Sequence, residues 1–362
     1  MPTVDSAWLA RWVEVHRLAV IGAEADIARH VDSQVGRVWL RWSRFADVEA
    51  LATRTLTFGP DPGALYRRGW ARSSTGRPRL ALEDSEQALA LYRKADDGAG
   101  QVAVLTQIGS VHSGSGDQST ALEFLEPALR MAEDAGYRDG EAAVRNTIGA
   151  VYERLGDPRQ ALDHFHRALL LRQEDGDRYG AAVALGRIGS VYSQMGDHQR
   201  ALAHLQQILP VRRETGDRAG EAATLAGIGA AYYGLEELPQ ALDHFQQAAD
   251  ILWEIGDPVG RAAALHNLCA VKAASGDLDG ARDTLDDVLA IARSTEDRYA
   301  EAVTLYSMAL LFDQTGRTGP AVVSVLQAIE LADRIGHPWS TEMRLFLAHL
   351  ERVLRGEAES DG

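Results

Sequence analysis

A Gly-Asp pair recurs at Gly116-Asp117, Gly156-Asp157, Gly196-Asp197 and Gly276-Asp277, always forty residues or a multiple of forty apart. Glu236-Glu237 fills the skipped slot, and Gly76-Arg77 and Gly316-Arg317 extend the series in both directions. A second ladder, Gly136, Gly176, Gly216, Gly256 and Gly336, lies twenty residues out of phase with the first. A fixed period of this length is the mark of an array in which each unit buries its apolar face against its neighbours. Each unit here is two segments of about 17 residues, each closed by a turn.

The segments read as helices. Leu185, Ile188, Gly189 and Tyr192 stand at offsets 0, 3, 4 and 7, and Ala201, Leu205 and Ile208 at 0, 4 and 7; both sets fall on one helical face. The punctuation agrees. Glycine supplies the left-handed residue after a helix end. Aspartate then accepts from the unpaired amides of the next helix, and Asp97, Asp177, Asp217, Asp257 and Asp297 repeat that cap for the first helix of successive units. In Asp157-Pro158 and Asp257-Pro258, proline takes the first helical position, where its missing N–H costs nothing.

Composition narrows the class. Of the 362 residues, 46% are hydrophobic, enough for a continuous core. No apolar run reaches the roughly 18 residues of a membrane span, and Leu18 to Ile21 is too short for a signal-peptide core. One cysteine excludes a disulfide framework and any multi-cysteine zinc site. These features predict a cytoplasmic protein. The net charge is −15 and is uneven: the first 80 residues hold 12 Arg against 8 acids, while the remaining 282 hold 25 basic and 44 acidic residues, a net of −19. So acidic a body repels a phosphate backbone, and nucleic acid is not an expected partner.

The repeated positions resemble the tetratricopeptide repeat (TPR) in its longer, forty-residue form. A small-residue slot reads Gly69, Gly109, Gly149, Gly189, Gly229, Cys269 and Ala309. An aromatic slot reads Arg72, His112, Tyr152, Tyr192, Tyr232, Lys272 and Phe312. An alanine recurs seven times, at Ala81, Ala121, Ala161, Ala201, Ala241, Ala281 and Ala321. Its partner slot reads Ser85, Leu125, Phe165, Leu205, Phe245, Leu285 and Val325. The resemblance covers residues 57–336 as seven units and implies an all-α fold, a TPR-type α-solenoid in which antiparallel helix pairs wind into a right-handed superhelix. Units one and six depart most, with Arg72, Ser85 and Lys272 where apolar side chains are expected. Residues 1–56 read as an atypical helical cap. Gly36 and Phe45 keep the repeat phase of a degenerate eighth pair, and Trp8, Trp12, Trp39, Trp42 and Trp70 are concentrated at this end, where they are expected to seal the open core or, as the alternative, to offer a docking surface for another domain. Residues 337–354 read as a C-terminal capping helix and 355–362 as a flexible tail.

Catalytic chemistry is not legible. The chain has no phosphate-cradling Gly-Lys motif and no His-Glu-x-x-His. His164, His204 and His244 recur at forty, which marks one copied external slot of the repeat rather than a metal set. Cys269 stands in the packing slot of its unit and reads as a buried small residue. No enzyme activity, metal or cofactor is expected.

The resemblance places first helices on the concave side, with a protein or peptide segment as guest. Groove positions read Tyr66 and Trp70 in the first unit, Asn146 in the third, Arg187 in the fourth, Tyr233 in the fifth, His266 and Asn267 in the sixth, and Tyr306 in the seventh. Small residues between them leave room for a guest, while Tyr and Trp supply contact area at low entropy cost. Arg187 and Arg154 are expected to pair an acidic guest. The leading expectation is a non-enzymatic binding scaffold. The alternative is a regulatory module. The Gly216 to Ala222 joint is similar to those in the sensor arrays of actinobacterial STAND-type and SARP-type regulators, which would make an NTPase or DNA-binding regulator the partner; the Rap-type peptide-responsive proteins also join a helical N-terminal segment to TPR units.

Overall fold

The computed structural model describes residues 6–41, 44–335 and 338–355. Among them are 18 α-helices, one 3-10 turn and no strand. The chain divides into two compact units, Met1–Val191 and Tyr192–Gly362. In the first are α1 (Ser6–Ile21), α2 (Ala25–Arg41), α3 (Phe45–Thr55), α4 (Pro62–Ser74), α5 (Pro78–Lys94), α6 (Gly98–Gly114), α7 (Gln118–Asp134), α8 (Arg138–Arg154) and α9 (Pro158–Glu174). The boundary falls inside α10 (Arg178–Gln194). The second holds α11 (His198–Thr215), α12 (Arg218–Gly234), α13 (Leu238–Glu254), α14 (Pro258–Ala274), α15 (Leu278–Ser294), α16 (Arg298–Gln314), α17 (Thr318–Ile335) and α18 (Ser340–Leu354).

The turns follow the glycine ladder. Gly76, Gly116, Gly136, Gly156, Gly176, Gly196, Gly216, Gly256, Gly276 and Gly316 all have φ between 62° and 87°. Asp96, Glu236 and Glu296 adopt the same left-handed conformation at its non-glycine positions. After most of these turns an aspartate accepts from the amide three residues on, as Asp157 does from Gln160 at 3.1 Å and Asp217 from Gly220 at 2.8 Å; Arg77 and Tyr137 stand at that position without a side-chain cap. Glu237 makes no such side-chain cap, the carboxylate being one methylene too far from the backbone it would bond.

Helix pairing rests on the small-residue slots. All seven recurring alanines are fully buried. A Cβ built on Gly109 would stand 2.5 Å from Leu125, and one on Gly149 would stand 2.6 Å from Phe165, so each glycine is the space that its partner's large side chain fills.

A second set of cross-helix pairs lies twelve residues apart. His112 stacks on Phe124, Tyr152 on His164 and Tyr192 on His204, at 5.6–5.7 Å between ring centroids, and Tyr232 packs tilted against His244 at 5.3 Å. The histidine slot read as external is therefore the stacking partner of the aromatic slot. The same geometry accommodates the irregular units. In unit six, Lys272 Nζ donates to Thr284 Oγ1 at 2.9 Å. In unit one, Asp84 is 1% exposed and takes a forked pair of hydrogen bonds from Arg68, at 2.9 and 2.6 Å, and another from Arg72 at 2.9 Å. Ser85 meets Gln107 Oε1 at 3.1 Å, and Gln107 Nε2 donates to the Tyr66 carbonyl at 3.0 Å. Charge and amide complementarity replace the apolar contacts of the other units.

The N-terminal helices differ from the phase expected of them. Gly36 does not mark a joint; it lies inside α2. Its missing side chain makes room for Arg67, whose Cδ would stand 2.7 Å from a Cβ there, on the way to an ion pair with the fully buried Asp32. Burial pushes the Asp32 carboxyl up and outweighs the pull of Arg67. Trp39 is buried with Leu9, Val31, Val35, Val48, Leu51 and Ala71, and Trp12 and Phe45 pack against this cluster. Trp8, by contrast, is 39% exposed. Trp42 and the tail 356–362 lie outside the described residues.

His16, fully buried on α1, sits 2.8 Å from Thr55 Oγ1 through Nε2. The Thr55 hydroxyl donates to the Leu51 carbonyl at 3.2 Å, so His16 Nε2 carries the proton and Nδ1 is left buried without a partner. Burial, with the Arg54 charge adding to it, lowers the His16 pKa from 6.5 to about 4.

Two outcomes test this packing. Gly149→Ala, whose methyl meets Phe165, is expected to cost about 1–3 kcal/mol in urea unfolding, whereas Gly114→Ala, with nothing within 4 Å of its Cβ, should be neutral or slightly stabilising. For His16, the unfolded chain takes up a proton that the folded chain refuses between pH 6.5 and about 4, so its contribution is complete above that window and is lost as pH falls through it. The melting-temperature advantage of the wild type over His16→Gln should shrink across that interval and level off below it.

Candidate partner-binding faces

The first helix of each repeat, even-numbered from α4 to α16, carries the predicted groove positions. In the first unit these faces are largely closed. Arg67 is 7% exposed, and Thr106, Gln107 and Ser113 are also buried. The closure has a local cause: α4 packs on α2 and α6, and α6 packs on α8, so the side chains between first helices are used among themselves. Tyr66 is half-buried, with Trp70 hydrogen-bonded to its phenol; burial drives the phenol above its ordinary value against that bond. Trp70 is half-buried too. Asn146 is half-buried, and its Oδ1 is buried without a donor. Arg187 is exposed on α10. Arg154, expected beside it as a guest-binding cation, is exposed and donates to the Ser113 carbonyl.

In the second unit the corresponding faces are open. Tyr233 on α12 is 41% exposed, and Asn267 and Ala270 on α14 and Leu310 on α16 are exposed as well. Ala226, Gly227 and Ala273 beside them are half-buried and small. His266 is half-buried, with Nε2 3.2 Å from Ser307 Oγ, and burial lowers its pKa, which favours the neutral ring. Tyr233, Asn267, Ala270 and Leu310 are uncharged, on a protein of net charge −15; Asp313, which holds on α16 the slot that Tyr233 holds on α12, stands half-buried at the end of the strip.

Tyr306 corrects the predicted set. It is 8% exposed, belongs to the core that includes Met343 and Leu350 of α18, and meets Phe346 edge-on at 5.8 Å. The last helix, α18, covers the face that the seventh repeat would otherwise present. Burial, and the Glu342 carboxylate to which its hydroxyl is hydrogen-bonded, raise the Tyr306 pKa.

The joints of the second unit were read in sequence only as caps, but their acids do more. Glu221 is 4% exposed and receives hydrogen bonds from Arg213 at 2.8 Å and Arg218 at 2.7 Å; Glu301 receives them from Arg293 at 2.9 Å and Arg298 at 2.7 Å. Burial alone would raise both carboxyls, but the paired guanidinium groups outweigh it and hold them below the usual range. At the joint between these two, Trp253 replaces the arginine of this slot and Arg261 stacks over its ring at 4.5 Å. The recurrence of Arg213 and Arg293 eighty residues apart, each eight residues before an acid, Glu221 and Glu301, was the signal available for this pairing.

Among the described residues no cluster of three His, Cys, Asp or Glu is placed to hold a metal ion, and no helix is long and apolar enough to cross a membrane. Cys269 is buried and its thiol is pushed up to about 11, mainly by burial.

Helix pairs with these slots and joints define a repeat solenoid of the TPR class. The tetratricopeptide repeat family matches residues 62–134, 140–214, 181–252 and 260–334, well over half of the sequence, and the chain belongs to that family. No curated protein matches it in sequence. Among solved structures it is similar to the STAND signal-transduction ATPase with a tetratricopeptide repeat sensor from Pyrococcus horikoshii, with TM-score 0.69, 16% identity, and coverage of 92% of this chain and 49% of that one. It thus spans about half the length of that protein. A Rap protein complexed with competence and sporulation factor aligns with TM-score 0.60 and 14% identity over 91% of this chain and 99% of that one. BtubC from P. vanneervenii aligns with TM-score 0.53 and 19% identity over 61% and 90%. At these identities the likeness is one of fold. As a TPR chain the protein has the architecture of a protein-interaction scaffold.

Proposed function

We propose that the chain is a non-enzymatic scaffold that holds a protein or peptide segment against the open first-helix face of its second unit. The observation that carries this reading is the uncharged strip from Tyr233 through Asn267 and Ala270 to Leu310. Small side chains let a guest backbone come close, Tyr233 and Leu310 offer apolar contact, and the Asn267 amide can both donate to and accept from a guest main chain. A guest face with few charges suits it, because a charge laid on this strip would lose water without gaining a partner. Arg187 is a separate, exposed cation in the first unit, suited to a guest carboxylate.

A second reading is favoured by the fold match that covers 92% of this chain and about half of a STAND ATPase with a TPR sensor. In that reading the same strip is the sensor surface of a regulator, and its guest is a signal peptide or an NTPase partner. The full-length likeness to a Rap protein seen with a peptide factor supports a peptide as guest.

Peptides retained by the immobilised chain from a synthetic library, followed by calorimetry of the best binder, test the proposal. Tyr233→Ala and Asn267→Ala should each weaken binding about tenfold or more, a loss of at least ~1.4 kcal/mol, and Tyr66→Ala should leave it unchanged. Binding that survives both second-unit substitutions, or that is lost with Tyr66→Ala alone, would place the guest elsewhere.

A further inference from the structure

The charged side chains on the first helices of the second unit are engaged with one exception. α12, α14 and α16 carry seven of them. Arg218 pairs with Glu221 at 2.7 Å, and Arg298 with Glu301 at the same distance. Arg261 lies over the Trp253 ring, and Lys272 donates to Thr284 Oγ1 at 2.9 Å and to the Gly280 carbonyl at 3.4 Å. Asp313 is the seventh. Among the described residues its carboxylate has neither a hydrogen bond nor an ion pair. Arg317, four residues on, is the cation that helix geometry offers it. The Arg317 guanidinium lies over the Phe312 ring instead, at 4.9 Å.

This carboxylate returns nothing to the fold. It stands in the last turn of α16, where the helix dipole favours a cation and disfavours an anion. It is half-buried, so it gives up part of its hydration without gaining a partner. In the other six repeats the slot holds serine three times, tyrosine, alanine and Glu153, and Glu153 accepts from Ser190 Oγ at 3.1 Å. A residue that breaks a local rule with no structural gain marks a place where function is to be sought.

Its position says which function. Asp313 lies one turn beyond Leu310 on the same face of α16, and Ala273, the equivalent residue of α14, is half-buried and too short to cover it. Tyr233 holds the same slot two repeats earlier. At ~10 Å between packed helices, Tyr233 and Asp313 are ~20 Å apart, the span of about six extended residues. The charge of the chain points the same way. Residues 81–362 carry a net of −19, which draws cations towards this surface.

We infer that the guest of the second-unit strip carries one cationic group, an ammonium or a guanidinium, and that this group pairs with Asp313. The inference rests on the guest strip proposed above and gives it a polarity: the cationic end of the guest lies at α16 and its uncharged end at α12.

Three acetylated twelve-residue peptide libraries test it. Each is random in Ala, Leu, Phe, Ser and Gln around one fixed central residue, which is lysine, norleucine or glutamate. The immobilised full chain should retain the lysine library about tenfold better than the other two, as expected for a charge-assisted contact. Asp313→Asn should bring the lysine library down to the norleucine level, and Asp313→Lys should turn the preference to glutamate. Asp313→Asn should melt no lower than the wild type, because nothing in the chain holds the carboxylate. A norleucine library with a free amino terminus separates a chain terminus from a side chain as the source of the cation; if its retention equals that of the lysine library, the terminus is the source. Retention of no library, no preference for lysine, a preference that survives Asp313→Asn, or a lower melting temperature for Asp313→Asn would each overturn the inference. Tyr233→Ala separates it from the strip itself. That substitution should weaken all three libraries and leave their ratio unchanged. Weakening by Tyr233→Ala without a lysine preference sinks the cation and keeps the strip. A preference that follows Asp313 while Tyr233→Ala has no effect does the reverse.

Discussion

The close approach of two helices at a glycine or alanine, with a large side chain of the partner filling the gap, is the contact on which the rest depends. A first helix without a methyl at Gly109 or Gly149 lets Leu125 or Phe165 reach its backbone, and the fully buried alanines do the same from the second helix. Close contact fixes the spacing within a pair, and spacing fixes how the next pair stacks. The hydrophobic core of such an array is therefore a series of small local cores rather than one large one. The clusters around Leu125, Phe245 and Val325 follow that rule.

Around that contact the repeat tolerates very different chemistry. The pair of slots twelve residues apart holds stacked rings in units two to four, a tilted pair in unit five, a lysine and threonine in unit six, and arginine on a buried aspartate in unit one. What persists is complementarity across the pair. Arg68, Arg72 and Asp84 depart from the repeat pattern as one ion-paired set, and Glu49 pairs with Arg72 and Arg77. Each irregular residue taken alone looks like a defect, and only its partner shows that it is not.

Function depends on where this packing stops. In the first unit the side chains between first helices satisfy one another, so Gln107 joins Ser85 to the Tyr66 carbonyl and leaves little surface for a guest. In the second unit many of the equivalent positions are alanine, glycine and asparagine; His266 reaches Ser307 on the next first helix, but Tyr233, Asn267, Ala270 and Leu310 stay exposed. The turn edge shows the same logic in reverse. Buried Glu221 and Glu301 close two joints with arginines, whereas at the intervening joint Trp253 is left standing in solvent.

The helices, their boundaries and the repeat period were determined by sequence alone, because they follow from local rules: a left-handed turn residue, a side-chain cap and a 3.6-residue apolar face. The core slots were legible for the same reason, since each is filled in every unit. Exposure was not legible, because it depends on residues far away in the chain. Tyr306 occupies the same slot as His266, but α18 covers it. Arg154 stands on the expected face, but a carbonyl forty-one residues away takes it. Gly36 keeps the phase of a joint and yet lies within a helix, because the buried Arg67 needs the space where its side chain would be. A one-dimensional pattern records which positions recur; which of them meet water is decided only when neighbouring helices close over some and leave others bare.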